Sequence, residues 1–203
     1  MHFLRLALPL VLAALSILAA TGAAAVDLEG ARQIVSRRCF ICHGMNGESS
    51  SESFPRLATQ NAAYLSKQLR DFLAGRRKSP TMKQMAAGLT EAEIVALGAF
   101  FAAQKADPHP VADASLAAAG RDLYARGNPA SDVPPCASCH GPKAEGSESL
   151  PRLAGQQAAY IESQLRQFNQ RSRTNDNEVM HAIASRLTEP EIKALAEYLA
   201  TTP

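Results

Sequence analysis

Past residue 25 the sequence has no apolar run near the roughly 20 residues needed to span a bilayer. It also lacks stretches of strict apolar–polar alternation, so nothing in it argues for strands. A β-α-β pattern is missing, which removes the usual setting of a thioredoxin-like dithiol. Charge of one sign is not in excess, with 21 Lys and Arg against 19 Asp and Glu in 203 residues. Cysteine is scarce, and the four present are not scattered as a disulfide framework would be.

What is present at the start is a leader. Residues Phe3 to Ala20 are almost wholly apolar, with Arg5 near their beginning, Pro9 among them, and Ala23-Ala24-Ala25 after them. This reads as a secretory signal (residues 1–25) cleaved after Ala25, with a retained membrane anchor as the alternative. The mature chain is expected to be soluble and periplasmic.

The cysteines form two close pairs, Cys39/Cys42 and Cys136/Cys139, each followed at once by a histidine, His43 and His140. A disulfide framework gives no reason for those histidines. The motifs sit inside a repeat. Phe54-Pro-Arg-Leu-Ala matches Leu150-Pro-Arg-Leu-Ala, Ala62-Ala-Tyr-Leu matches Ala158-Ala-Tyr-Ile, and Leu89-Thr-Glu matches Leu187-Thr-Glu. The offset drifts only between 96 and 98 residues, so the chain is a duplicated domain. Pro108 and Pro110 place a linker at 106–111. The domains then run over 26–105 and 112–203. Each is small enough for a hydrophobic core alone to be marginal, and a large apolar cofactor would supply the missing buried surface.

Both domains are expected to be all-α. Helices are predicted over 31–38 and 114–126, leading into each cysteine motif, and over 62–74 and 158–168. Capping boxes at Thr90-Glu-Ala-Glu93 and Thr188-Glu-Pro-Glu191 open terminal helices over about 91–103 and 189–200. Polar loops fill segments such as 44–53 and 127–135.

Cys-x-x-Cys-His is the attachment sequence of c-type haem. Its two thiols form thioethers with the haem vinyl groups, and the adjacent histidine becomes the proximal iron ligand. A zinc site would need four converging ligands, which two separate three-residue motifs do not provide simply. Two haem c groups are therefore expected, on Cys39, Cys42 and His43, and on Cys136, Cys139 and His140. A six-coordinate electron-transfer haem also needs a distal ligand, commonly methionine. Met45 follows His43 too closely to reach the opposite face. Met82 and Met180 both lie seven residues before the leucine of a Leu-Thr-Glu block, whereas Met85 aligns with Ile183. Met82 and Met180 are the expected pair, with His181 the nearest rival at the second iron. Pro55 and Pro151 could offer a carbonyl to the proximal imidazole or merely make a turn. Tyr64/Tyr160, Gln68/Gln164 and Arg70/Arg166 recur as well. Core tyrosines and solvated arginines are the expectation, and His109 in the linker is expected to be exposed.

With both motifs, the Pro-Arg-Leu-Ala blocks and the 68–76 stretch in view, the chain resembles the cytochrome c4 family. The resemblance implies two class I cytochrome c domains about a pseudo-twofold axis, each with His/Met-ligated haem. It also implies electron delivery from a quinol-oxidising complex towards a terminal oxidase. The family-style Pro-x-Leu-Ala-Gly-Gln is intact in the second copy but reads Ala-Thr-Gln at 58–60 in the first.

The expected function is electron carriage between redox proteins, not catalysis. An electron-transfer subunit of a dehydrogenase complex and a dihaem peroxidase are the alternatives. Residues 26–105 hold 11 basic and 7 acidic side chains, and residues 106–203 hold 9 and 12, so the halves differ in sign. Opposite poles could steer different partners to different haems. Arg76-Arg77-Lys78 is expected to mark the partner-facing end of the first domain. No nucleic-acid partner is expected, and a peripheral membrane association fits the export reading.

Overall fold

The structure is a computed structural model that describes residues 26–106 and 108–203. The expected signal segment and Asp107 of the linker lie outside the described residues.

In the first half, α1 (Leu28–Ile34) starts three residues before the predicted helix because Asp27 caps it, accepting the Gly30 N–H at 2.8 Å. It widens into a π-helical turn, Val35–Cys39, which runs directly into α2 (Phe40–His43). Then follow α3 (Ala62–Leu73), α4 (Pro80–Ala86) and α5 (Glu91–Ala102). The second half repeats the order with α6 (Ala114–Arg126), α7 (Ala137–His140), α8 (Ala158–Asn169), α9 (Val179–Ala184) and α10 (Glu189–Thr201). A short 3₁₀ turn, Pro129–Ser131, and an isolated Asn128–Val133 bridge lie in the loop before α7. Among the described residues there is no strand. Both capping boxes form: the Thr90 and Thr188 hydroxyls accept the N–H groups of Glu93 and Glu191, whose carboxylates reach back to the caps.

Each half has its own core. In the first, Ala31 and Val35 of α1 and the π turn pack with Leu65 of α3 and Leu97, Phe100 and Phe101 of α5. In the second, Tyr124 of α6 packs with Ile161 of α8 and Ile192, Leu195 and Leu199 of α10. The helix crossings are close: a Cβ on Gly98 would lie 2.5 Å from the Ala62 carbonyl oxygen, and one on Gly120 would collide with that of Ala194.

Two glutamines join the halves. Gln60 donates to the Arg152 carbonyl at 2.8 Å and accepts the Arg152 N–H at 2.8 Å. Gln156 does the same to Arg56, at 2.9 and 2.8 Å. Each half lends one amide side chain to the other's Pro-Arg backbone, the exchange expected of a twofold relation. Both glutamines are buried, so these bonds are shielded from water. The linker returns to the second half, where the His109 N–H donates to the Ala200 carbonyl at 3.0 Å. His109 is half-buried there, not exposed as its setting between prolines suggested.

Candidate functional site

The two Cys-x-x-Cys-His motifs form short helices that end on glycines. Gly44 and Gly141 have φ of 75° and 82°, and a Cβ at either position would meet the Glu48 or Glu145 carboxylate. The histidines just before them are buried. His43 Nδ1 lies 2.9 Å from the Pro55 carbonyl oxygen, and His140 Nδ1 lies 3.3 Å from that of Pro151. A carbonyl only accepts, so Nδ1 carries the proton and Nε2 keeps its lone pair. Of the two roles open to the prolines in the sequence, the structure shows the carbonyl one. Burial lowers the pKa of both imidazoles, and the carbonyl bond opposes it. Neutral imidazole is the ligating form.

Burial also pushes the Cys39 thiol up to about 11, against the charge of Arg38, and the Cys136 thiol up to about 11. Thiols held this firmly protonated are not the activated thiolates of a redox dithiol. Among the described residues, no three His, Cys, Asp or Glu side chains cluster as a metal site of their own.

One continuous cavity of about 1350 Å³ runs through both halves. All four cysteines, both motif histidines and both repeat methionines line it, with Leu65, Leu69, Phe72 and Leu97 in one half and Ile161, Leu165, Phe168 and Leu195 in the other. Interiors are close-packed, so a space of this size is a built site for large apolar groups. Met82 and Met180 sit on α4 and α9, the two short helices that periodicity did not predict. Met85 and its counterpart Ile183 also line the cavity. Met45 lies outside that wall, on the exposed surface. His181, the rival second ligand, turns away: its Nδ1 lies 3.0 Å from the Phe168 carbonyl oxygen, and it does not line the cavity.

Residues 28–105 and 117–203 each match the family model of cytochrome c. A cytochrome c4 of Thiocapsa roseopersicina is 42% identical over 165 residues, which cover 79% of this chain and 85% of that protein. The crystal structure of reduced recombinant cytochrome c4 from Pseudomonas stutzeri matches with a TM-score of 0.82 and 34% identity, covering 88% of this chain and 100% of that one. The chain belongs to the cytochrome c4 family. A further relative, the thiosulfate dehydrogenase electron acceptor of Thiomonas intermedia (strain K12), is 38% identical over 170 residues, 81% of this chain and 78% of its own length.

As a member of this family, the chain binds two haem c groups covalently, one in each domain, and is an electron-transfer protein. The donor set fits that cofactor. Each half offers two thiols, a lone-pair imidazole nitrogen and a thioether sulfur on the walls of an apolar cavity.

Where the two halves meet, the structure assembles residues whose joint role the sequence did not disclose. Arg77 of the first half donates to the Tyr160 hydroxyl at 2.7 Å and to Gln164 Oε1 at 2.9 Å. Arg173 of the second half donates to the Tyr64 hydroxyl at 2.8 Å and to Gln68 Oε1 at 3.4 Å. Each guanidinium also stacks on a phenylalanine of its own half, Phe72 at 4.8 Å and Phe168 at 4.5 Å. The tyrosines are thus interface residues rather than core filler. Arg70 and Arg166 instead pair at exposed positions with Glu91 and Glu189.

The Arg76-Arg77-Lys78 cluster is consequently not one docking face. Arg77 crosses to the other domain, Arg76 donates to Asp71 at 2.7 Å, and Lys78 is exposed. The signal that could have found Arg77 is its alignment with Arg173, at the 96-residue offset that also relates the tyrosines and glutamines. Asp71 is 2% exposed and has no counterpart, since Gln167 aligns with it. Burial would raise its pKa, but hydrogen bonds from Lys67, Asn175 and Arg76 outweigh this and hold it below the usual 3.8.

Proposed function

We propose that this protein is a periplasmic two-haem carrier that takes electrons from a quinol-oxidising complex and delivers them to a terminal oxidase or another acceptor. In this reading the leader exports the chain and is cleaved after Ala25. Cys39 and Cys42, and Cys136 and Cys139, form the thioethers. His43 with Met82, and His140 with Met180, are the axial iron ligands.

The observation that carries the reading is that both methionines line the same cavity as both motif histidines. Each bound haem supplies a reversible one-electron iron couple. The chain's own residues do the rest. Pro55 and Pro151 fix the tautomer and orientation of the imidazoles. The leucines and phenylalanines of the cavity wall exclude water, and a methionine sulfur on each iron would leave no open position for peroxide or oxygen. That is a carrier's site rather than a peroxidase's. The difference in charge between the halves supports separate partner-facing poles.

A second reading is favoured by the relative that serves as electron acceptor of thiosulfate dehydrogenase. There the donor is a dehydrogenase, bound transiently or as a lasting complex, and the haem sites are unchanged. Co-purification from native extract separates the two readings.

The site itself is tested by redox titration with visible spectra. Two low-spin haems are expected, each with a sulfur-to-iron absorption band. Met82→Ala and Met180→Ala should each remove the band of one haem and leave the other. A high-spin, peroxide-responsive haem in the unaltered protein would overturn the carrier reading.

A further inference from the structure

The two expected methionine ligands are held by different devices. In the first half, Ser79 caps α4, its hydroxyl accepting the Met82 N–H at 3.2 Å, and Pro80 presets the first helical turn. In the second half neither residue is present. The chain enters α9 through Asn177 and Glu178, both left-handed, at φ of 59° and 63°. Asparagine tolerates that region, but glutamate there is strained. Two adjacent left-handed residues persist only where something else fixes the turn.

Asn175, two residues before the turn, is anchored to the first half through Lys67, Gln68 and Asp71. Within the turn and the start of α9, two further contacts bear on it. Arg171 and Glu178 form an exposed ion pair at 3.5 Å, which contributes little in water. The other is Asp176, whose Oδ2 accepts the Met180 N–H at 2.6 Å, a short charge-assisted bond. Asp176 lines the haem cavity, and its Oδ1 is buried with no hydrogen-bond partner among the described residues. A buried carboxylate oxygen without a partner is costly. Such a group needs a reason to be there.

We propose that Asp176 is a positioning residue for the second haem site: it clasps Met180 onto the iron through the backbone, and its charge distinguishes that site from the first, where the neutral Ser79 hydroxyl accepts the corresponding methionine N–H. The proposal rests on Met180 being the distal ligand. Its two parts separate by substitution. Asp176→Ala removes both clasp and charge, whereas Asp176→Asn keeps an acceptor for the Met180 N–H and removes only the charge. An anion on the wall of the haem cavity, only partly offset by the nearby Arg173 guanidinium, would favour the more positive, oxidised form of a bound iron, so losing it should raise one of the two midpoint potentials.

The test uses the two-haem protein, titrated with imidazole as a competitor for the sixth position and followed by the sulfur-to-iron band. In Asp176→Ala, one haem should lose its band at roughly tenfold lower imidazole, the loss expected for a hydrogen bond to a charged group. The other haem should titrate as before. Asp176→Asn should hold the band close to the unaltered protein while one midpoint rises and the other stays. Ser79→Ala should weaken only the other haem, and by less. Met180→Ala is the control. If it leaves both bands intact, the ligand assignment has failed and the proposal with it. If Met180→Ala removes one band but Asp176→Ala shifts neither the imidazole titration nor a midpoint, the assignment stands and the clasp is overturned.

Discussion

Thr59 has φ of 64°, and Gly155, its counterpart in the second copy, has φ of 69°. The turn is the same in both: the Thr59 N–H donates to the Phe101 carbonyl at 3.0 Å and the Gly155 N–H to the Leu199 carbonyl at 2.8 Å. The one visible departure from the family pattern, Ala-Thr-Gln for Ala-Gly-Gln, therefore puts a β-branched residue where the backbone suits glycine. Strain of this kind costs about 1–3 kcal/mol, part of which glycine's greater unfolded-state entropy offsets. Thr59→Gly should then stabilise the first domain by about 1 kcal/mol without changing haem content, as read by denaturant unfolding of the holoprotein. A destabilised variant would mean that the Thr59 hydroxyl, which donates to the Ala58 carbonyl at 2.6 Å, outweighs the strain. At this scale the sequence was informative wherever chemistry demands a residue type. Cys-x-x-Cys-His admits one main reading, and the repeat singled out two methionines that the structure places on the wall of the same cavity. Asp176 was not legible, because a carboxylate that caps one N–H looks like any exposed acid until the turn around it is known.

The long helices were legible to within a few residues, because their boundaries are set by local devices. Thr90 with Glu93 and Thr188 with Glu191 are complete capping boxes, and α3 and α8 carry a clear apolar face. The short α4 and α9 were not. Two turns or fewer have no period to detect and are unstable alone, so tertiary contacts decide them. The π turn at Val35–Cys39 was hidden as well, since a single widened turn inside a helix leaves no mark on the apolar pattern. Helix crossings add a constraint that composition does not show. Gly120 on α6 sits under the Ala194 carbonyl of α10 so closely that a methyl group has no room, and backbone cannot move aside as a side chain can. Gly120→Ala should destabilise the second domain by about 1–3 kcal/mol despite alanine's better helix propensity. Thermal unfolding followed at the second haem checks this. An unchanged or raised midpoint would show that α6 can slide on α10.

At the scale of the whole molecule, the interface adds to its twofold bonds one group, Asp71, which twofold symmetry does not supply. Its carboxylate accepts from Lys67 at 2.5 Å and Arg76 at 2.7 Å within its own domain, and from Asn175 of the other domain at 2.7 Å. Lys67 also donates to the Asn175 carbonyl at 2.7 Å, so one acid and one lysine grip this residue of the second domain's loop by side chain and backbone together. The sequence could not show this. The partners are more than 100 residues apart, and Gln167 at the aligned position offers no repeat to read. The depressed pKa of Asp71 gives the sign of its pH dependence. Its contribution is fully present above the ordinary carboxyl value of 3.8 and is lost as pH falls through the lower folded value. Domain docking should therefore weaken in acid below about pH 4. Asp71→Asn should abolish that part of the acid dependence. At neutral pH it should cost about 1–3 kcal/mol rather than the larger penalty of a stranded buried charge. The reason is that Lys67 and Arg76 are 44% and 60% exposed and can be rehydrated. Denaturant unfolding at pH 7 and in acid, with the separation of the domains followed by small-angle scattering, reads both effects. If the variant is as stable as the parent at pH 7 and loosens over the same acid range, the twofold arginine–tyrosine and glutamine–backbone bonds hold the domains together without Asp71.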